Sequence, residues 1–169
     1  MVSKAFFLDR DGTIIVDEGY PTDPGRIVFL KGAVETLQLA RQRGFKLIVV
    51  SNQSGVGRGY FSERQMWSFH REFESLLLKA GIFLDKAYYC TAAPWDVSTR
   101  RKPSSGMLLE AAKEFDVDFS KSFMVGDKPS DIVAGKNVGC RTIFLGHNLS
   151  ISADFECESW SDIKKVICR

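Results

Sequence analysis

The chain has 169 residues, 23 of them basic and 21 acidic, for a formal net charge of +2. That length supports one domain with a sizeable core, and the near-balanced charge offers no general attraction to nucleic acid or membrane surfaces. No apolar run approaches the roughly 20 residues that cross a bilayer, and the four cysteines Cys90, Cys140, Cys157 and Cys168 form no CxxC pair, against a disulfide framework or zinc knuckle.

In chain order, KAFFLD (4–9) is a short apolar run, followed by VETLQLARQRG (34–44), whose Val34, Leu37 and Ala40 recur at helical spacing before Gly44. FKLIVVS (45–51) is again continuously apolar. SERQMWSFHREFESLLLKAG (62–81) has the clearest helical pattern, with Ser62 as N-cap, Gln65 three residues on, and an apolar stripe through Met66, Phe69, Phe73, Leu76, Leu77 and Ala80. KAYYC (86–90), KSFMVGD (121–127) and RTIFLG (141–146) read as strands, and 104–115, 129–137 and 160–167 as helices. Strands without polar alternation are covered on both faces, so the pattern predicts an α/β fold: a three-layer, open, mostly parallel sheet with helices on both sides. The whole chain, 1–169, reads as a single domain.

In such folds ligands bind beyond the carboxyl ends of the strands, and polar residues gather there. The first strand runs into Asp9-Arg10-Asp11-Gly12-Thr13, the second into Ser51-Asn52-Gln53-Ser54-Gly55, and the fourth into Gly126-Asp127-Lys128-Pro129-Ser130-Asp131. The loop after the third ends in Arg100-Arg101-Lys102-Pro103 before a helix. Asp9 and Asp11, on one side of extended backbone and about 6.6 Å apart, can serve one reacting centre, one attacking and the other handling a proton. Asp127 can join Asp9 around a hard cation such as Mg²⁺, while Ser51, Asn52 and Lys102 hold the oxygens of a phosphoryl group. This describes an aspartyl-phosphate mechanism. An isolated Asp-x-Asp-Gly is more often a solvated turn or calcium loop; the three partner stretches separate this one from that reading.

FLDRDGT, SNQSG, RKP and VGDKPSD resemble, in order and over nearly the whole chain, the four motifs of haloacid dehalogenase-like phosphatases. With DEGY (17–20), SNQSGVGRGYF (51–61) and RRKPSSGM (100–107), the chain is similar to the branch containing D-glycero-D-manno-heptose 1,7-bisphosphate 7-phosphatases and histidinol phosphatases. The resemblance implies a hydrolase with the Rossmann-like sheet of that superfamily. Asp9 is then the nucleophile, Asp11 the acid/base, and Ser51 and Lys102 stabilise the phosphoryl group. Mg²⁺ is held by Asp9, the Asp11 backbone carbonyl and Asp127. Asp17, Glu18, Gly19, Tyr20, Asn52, Gln53, Ser54, Arg101 and Lys128 fall where the family contacts substrate or orders its site.

Members of this branch commonly carry a zinc loop after the third strand, with Cys-x-His and two further cysteines before Arg-Lys-Pro. Here the loop reads CTAAPWDVSTRRKP: Cys90 is retained, but Ala92, Thr99 and Arg100 are not ligands. One thiolate cannot complete a four-coordinate site, so no structural zinc is expected, and the loop is expected to be held by packing through Pro94 and Trp95.

The spacings from Asp11 to Gly32 and from the third strand to Lys102 are too short for a separate cap domain. Arg58, Arg100, Arg101 and Lys128 form a candidate receptor for a second phosphate, favouring a phosphorylated sugar as partner. Histidinol phosphate or another small phosphomonoester is the same-class alternative, with nucleic-acid 3′-phosphatase activity and non-catalytic phosphate binding as weaker ones. Asp131 is read either as support for the metal or Lys128 or as a first-turn helix-dipole carboxylate. Trp67, Phe69 and Phe73 read as core, His70 as a boundary residue and His147 as part of a surface loop. Cytoplasmic location and a monomeric state are also expected.

Overall fold

The computed structural model describes residues 2–147 and 152–168. Six parallel strands, β1 (Lys4–Leu8), β2 (Phe45–Asn52), β3 (Lys86–Cys90), β4 (Phe123–Gly126), β5 (Arg141–Leu145) and β6 (Phe155–Cys157), form one sheet in the order β3-β2-β1-β4-β5-β6. Chain order reverses between β1 and β4, which places the topological switch point beside the first strand.

Alternate β1 residues face opposite layers. Phe6 and Leu8 pack with the helices α1 (Ala33–Gln42), α3 (Glu63–Lys79) and α6 (Trp160–Ile167), which contribute Leu37, Phe73 and Ile163 among others. Ala5 and Phe7 turn to the other layer, where Met107, Leu108 and Ala111 of α4 (Gly106–Phe115) and Ala134 of α5 (Pro129–Asn137) cover them. Burial on both faces is why the central strands lack polar alternation. Ser62 caps α3 through the Gln65 N–H, and the Gln65 side chain returns to the Ser62 N–H.

Two elements had no clear sequence signal. β6 is three residues long at the sheet edge and only partly apolar, too short for a periodicity. The single turn α2 (Ser54–Gly57) lies in a Gly-rich segment with poor helical propensity. A β-carbon at Gly55 would run into the Phe61 ring. Trp67 departs from its expected core position: it is 40% exposed, with its ring edge against His70 and Tyr89. Helical spacing places it off the stripe of Met66, Phe69 and Phe73, all three buried. His70 in turn is buried, and His147 is exposed.

Between β1 and α1 the chain makes a short excursion without a separate cap domain. Val16 N–H donates to the Val28 carbonyl and Leu30 N–H to that of Ile14, tying the base of the loop that carries residues 17–27.

Candidate active site

Asp9 follows β1 directly, and its N–H donates to the Val125 carbonyl of β4. This fixes its carboxylate beside the end of the neighbouring strand. Lys102 arrives from the opposite side: Asn52 at the end of β2 accepts from the Lys102 N–H (3.0 Å) and donates to its carbonyl (2.9 Å). Asn52, expected at the substrate, therefore clamps the backbone of the loop that delivers the lysine. The Lys102 ammonium is 3% exposed and donates to Asp9 Oδ1 (2.9 Å) and the Val50 carbonyl (2.7 Å). It also pairs with Asp131 Oδ1 at 2.6 Å.

Burial opposes the charge on Lys102, but Asp131 and Asp9 outweigh it and hold the ammonium above its ordinary pKa. Burial likewise pushes Asp9 up, yet the Lys102 ammonium prevails and keeps it below the usual carboxylate range. An ionised, oriented carboxylate is the form a nucleophile needs. Asp131 also accepts from the Lys128 N–H at 3.0 Å, so it orders both the lysine and the start of α5. Of its two sequence readings, the supporting role fits its near-complete burial; a dipole carboxylate alone would sit at the surface.

Asp9, Asp127 and Asp131 each bring a carboxylate oxygen to within 4.8 Å of the others. Asp127 is pushed up to about 7 by burial and by the Asp9 carboxylate. Three crowded, all-oxygen donors of like charge suit a hard divalent cation. Asp9 and Asp127 could hold it, because Asp131 is tied to the Lys128 N–H as well as to Lys102, whereas Asp9 shares only the lysine. Thr13 donates to Asp127 Oδ1 (3.1 Å), and the Thr13 carbonyl accepts from the Trp160 indole (2.8 Å). Gly12, at φ +80°, lets the loop pass so close that a β-carbon there would collide with the Asp127 carboxylate.

Asp11 lies beyond the nucleophile, gripped by Arg10 and by Gln53, whose amide also donates to Ser51 Oγ (3.0 Å). Asp11, Asp17, Gly19, Tyr20, Asn52, Gln53, Ser54, Arg58, Arg101, Lys102 and Lys128 line a cleft of about 560 Å³. Lys128 reaches Asp17 (3.2 Å), and Arg101 donates to the Ala92 carbonyl (3.1 Å). Although burial opposes it, the carboxylates of Asp127, Asp9 and Asp17 hold Lys128 protonated well above neutrality.

Two expected residues turn elsewhere. Arg100 pairs with Glu110 (2.7 Å) and donates to the Tyr89 carbonyl (3.1 Å), so it belongs to the scaffold and not to the cleft. Glu18 pairs with Arg26 (2.9 Å) on a separate recess. In the loop after β3, Trp95 is 69% exposed, with the Arg58 guanidinium over its ring at 5.1 Å. Ser98 Oγ accepts from the Arg100 and Arg101 N–H groups (3.2 Å each), and Asp96 accepts from the Ala93 N–H (2.7 Å). Cys90 Sγ faces Ser98 Oγ at 3.5 Å.

Three site residues had escaped the sequence reading or were left undecided by it: Arg10, Thr13 and Asp131. For Arg10 the signal that could have found it is its place between two aspartates directly after an apolar strand.

Comparison with known proteins agrees with this geometry. Residues 99–157 match the HAD-hydrolase-like family model. A D-glycero-beta-D-manno-heptose-1,7-bisphosphate 7-phosphatase from Pasteurella multocida is 38% identical, over 98% of this chain and 97% of its own. The chain belongs to the haloacid dehalogenase-like phosphatases. A family member of the same name from Helicobacter pylori is 42% identical over 85% of this chain and 83% of that one. A crystal structure of D,D-heptose 1,7-bisphosphate phosphatase from B. bronchiseptica, complexed with magnesium and phosphate, superposes with a TM-score of 0.86 at 25% identity, covering 98% of both chains. The sheet, its strand-end carboxylates and the open cleft are thus those of a haloacid dehalogenase-like phosphatase built without a separate cap.

Proposed function

We propose that this chain is a Mg²⁺-dependent phosphatase that removes the 7-phosphate of D-glycero-D-manno-heptose 1,7-bisphosphate. The observation that carries the reading is the convergence of Asp9, Lys102 and Asp127 at one end of the sheet, in a chain whose near-full-length relatives bear that activity in their names. Gathering of the six strands found among the described residues in one sheet supports treating 1–169 as a single phosphatase domain.

Asp9 supplies the attacking oxygen. Its Oδ–P bond forms as the bond from phosphorus to the sugar oxygen breaks, and the carboxyl proton of Asp11 passes to that departing oxygen. Asp11, now a carboxylate, takes a proton from water as the water oxygen bonds to phosphorus and the Oδ–P bond breaks, which regenerates Asp9 and releases inorganic phosphate. Lys102 offsets charge on the transferring oxygens throughout, and Ser51 Oγ donates to one of them. Asp9, Asp127 and the Asp11 backbone carbonyl would hold Mg²⁺, which would neutralise charge between the carboxylates and the phosphate dianion.

Arg58, Arg101 and Lys128, cations around the same cleft, receive the second phosphate. This favours a bisphosphate over histidinol phosphate, whose amine would face those cations. Tyr20, Ser54, Gly19 and Asp17 shape the space between the two phosphates. Phosphate release from both anomers of the heptose bisphosphate and from histidinol phosphate, with and without Mg²⁺, tests the assignment. The expected result is a kcat/KM at least 100-fold higher for a bisphosphate anomer and dependence on Mg²⁺. Equal or better turnover of histidinol phosphate would refute it.

A further inference from the structure

Arg10 is a guanidinium only 1% exposed, on a residue type that is almost never fully buried without a partner. Its fork grips the next residue: Nε donates to Asp11 Oδ1 at 3.0 Å and Nη2 to Asp11 Oδ2 at 2.9 Å. Neighbouring side chains in a strand point to opposite faces, so this contact requires the chain to leave β1. It does so after Leu8, and the turn that follows closes on the Arg10 carbonyl, which accepts from the N–H groups of Thr13, Ile14 and Ile15.

The guanidinium is fixed in turn from every side. Its central carbon lies over the rings of Phe69 (4.6 Å) and Tyr89 (5.4 Å). Nη2 also donates to Gln53 Oε1 (3.1 Å), and Gln53 Nε2 donates to the same Asp11 Oδ2 (2.8 Å). Three N–H donors therefore fill both acceptor sites of Oδ2 and one of Oδ1, which fixes the plane of the carboxyl group and leaves the second site of Oδ1 for the proton it transfers. Asp11 and Gln53 reach the cleft; Arg10 does not line it.

We infer that Arg10 is a positioning residue for Asp11, with Gln53 as the second arm of the cradle, and that the pair sets where proton transfer to the leaving oxygen takes place. A stabilising role alone is a poor explanation of the arrangement, since a buried ion pair is often matched in stability by well-packed apolar groups. A proton donor displaced by about 1 Å loses on the order of 100-fold in rate. The inference rests on the assignment of Asp11 as acid/base made under the proposed function.

The test compares kcat/KM, which reports the first phosphoryl transfer, for heptose bisphosphate and for 4-nitrophenyl phosphate. The nitrophenolate departs without protonation, so loss of the acid is felt mainly by the sugar substrate. Arg10→Met is expected to lower kcat/KM at least 100-fold for the sugar and less than 10-fold for the aryl ester, with Arg10→Lys giving the same inequality in weaker form. Gln53→Met, which leaves the buried charge pair intact, is expected to show that inequality at about 10-fold and decides the matter if Arg10→Met does not fold. Asp11→Asn is the reference. If Asp11→Asn discriminates between the substrates but the Arg10 and Gln53 variants lose both activities equally, or lose neither, the positioning role is overturned. If Asp11→Asn itself fails to discriminate, the acid/base assignment falls and the inference with it.

Discussion

The Lys102 ammonium and the Asp131 carboxylate lie 2.6 Å apart, each almost wholly buried, and Asp9 shares the same ammonium at 2.9 Å. Lys102 is thus held between a carboxylate that positions it and one that it activates. Removing one partner of a buried pair leaves an uncompensated charge, at a cost of about 3–5 kcal/mol. Asp131→Asn is expected to lower stability by about 3 kcal/mol, and turnover by roughly 10- to 100-fold as the ammonium loses its fixed position. Thermal unfolding beside steady-state rates checks both; an unchanged rate would mean that Asp131 is structural only.

The backbone of the loop after β3 is tied by hydrogen bonds centred on Ser98. Ser98→Ala leaves two backbone N–H groups without their acceptor and is expected to cost about 1–2 kcal/mol, a fall of a few degrees in Tm. A zinc-selective chelator is expected to leave Tm where it was. A chelator-induced fall in Tm, with zinc recovered in the filtrate, would contradict this account of the loop.

His70 gives the fold a defined acid response. Burial, with the nearby charges of Arg10 and Arg71, holds its pKa at about 4, below the ordinary 6.5. Its Nδ1 lies 2.8 Å from the Tyr89 hydroxyl and its Nε2 3.3 Å from the Glu74 carboxylate. Between pH 6.5 and about 4 the unfolded chain binds a proton that the folded chain refuses. Stability from this residue is therefore complete above pH 6.5 and falls as acid is added, by roughly 2–3 kcal/mol. Denaturant unfolding across that range is expected to show the loss in the parent chain and a shallower slope in His70→Gln; parallel curves would exclude His70 as the cause.

Much of this fold was legible because its signals are local. Continuous apolar runs gave β1 to β5, and the Ser62/Gln65 pair with Gly81 bounded α3. The strand-end motifs could be read as one site because a parallel sheet brings its carboxyl ends together. What escaped depends on contacts distant in sequence. Asp131 is a plain first-turn carboxylate until Lys102 is brought against it, and Arg100 looks available for phosphate until Glu110 is seen one helix away. Trp95 has the composition of a packing residue, but Ser98 and Asp96 satisfy the loop backbone, and the indole stays largely exposed with the Arg58 guanidinium over its ring.

The central claim is that phosphorus is transferred to Asp9. Single-turnover phosphate release by Asp9→Asn, with enzyme in excess over heptose bisphosphate and Mg²⁺ present, tests it most directly. An amide in place of the carboxylate cannot form the acyl phosphate, so no phosphate above the uncatalysed background is expected. Undiminished release by that variant would contradict the mechanism.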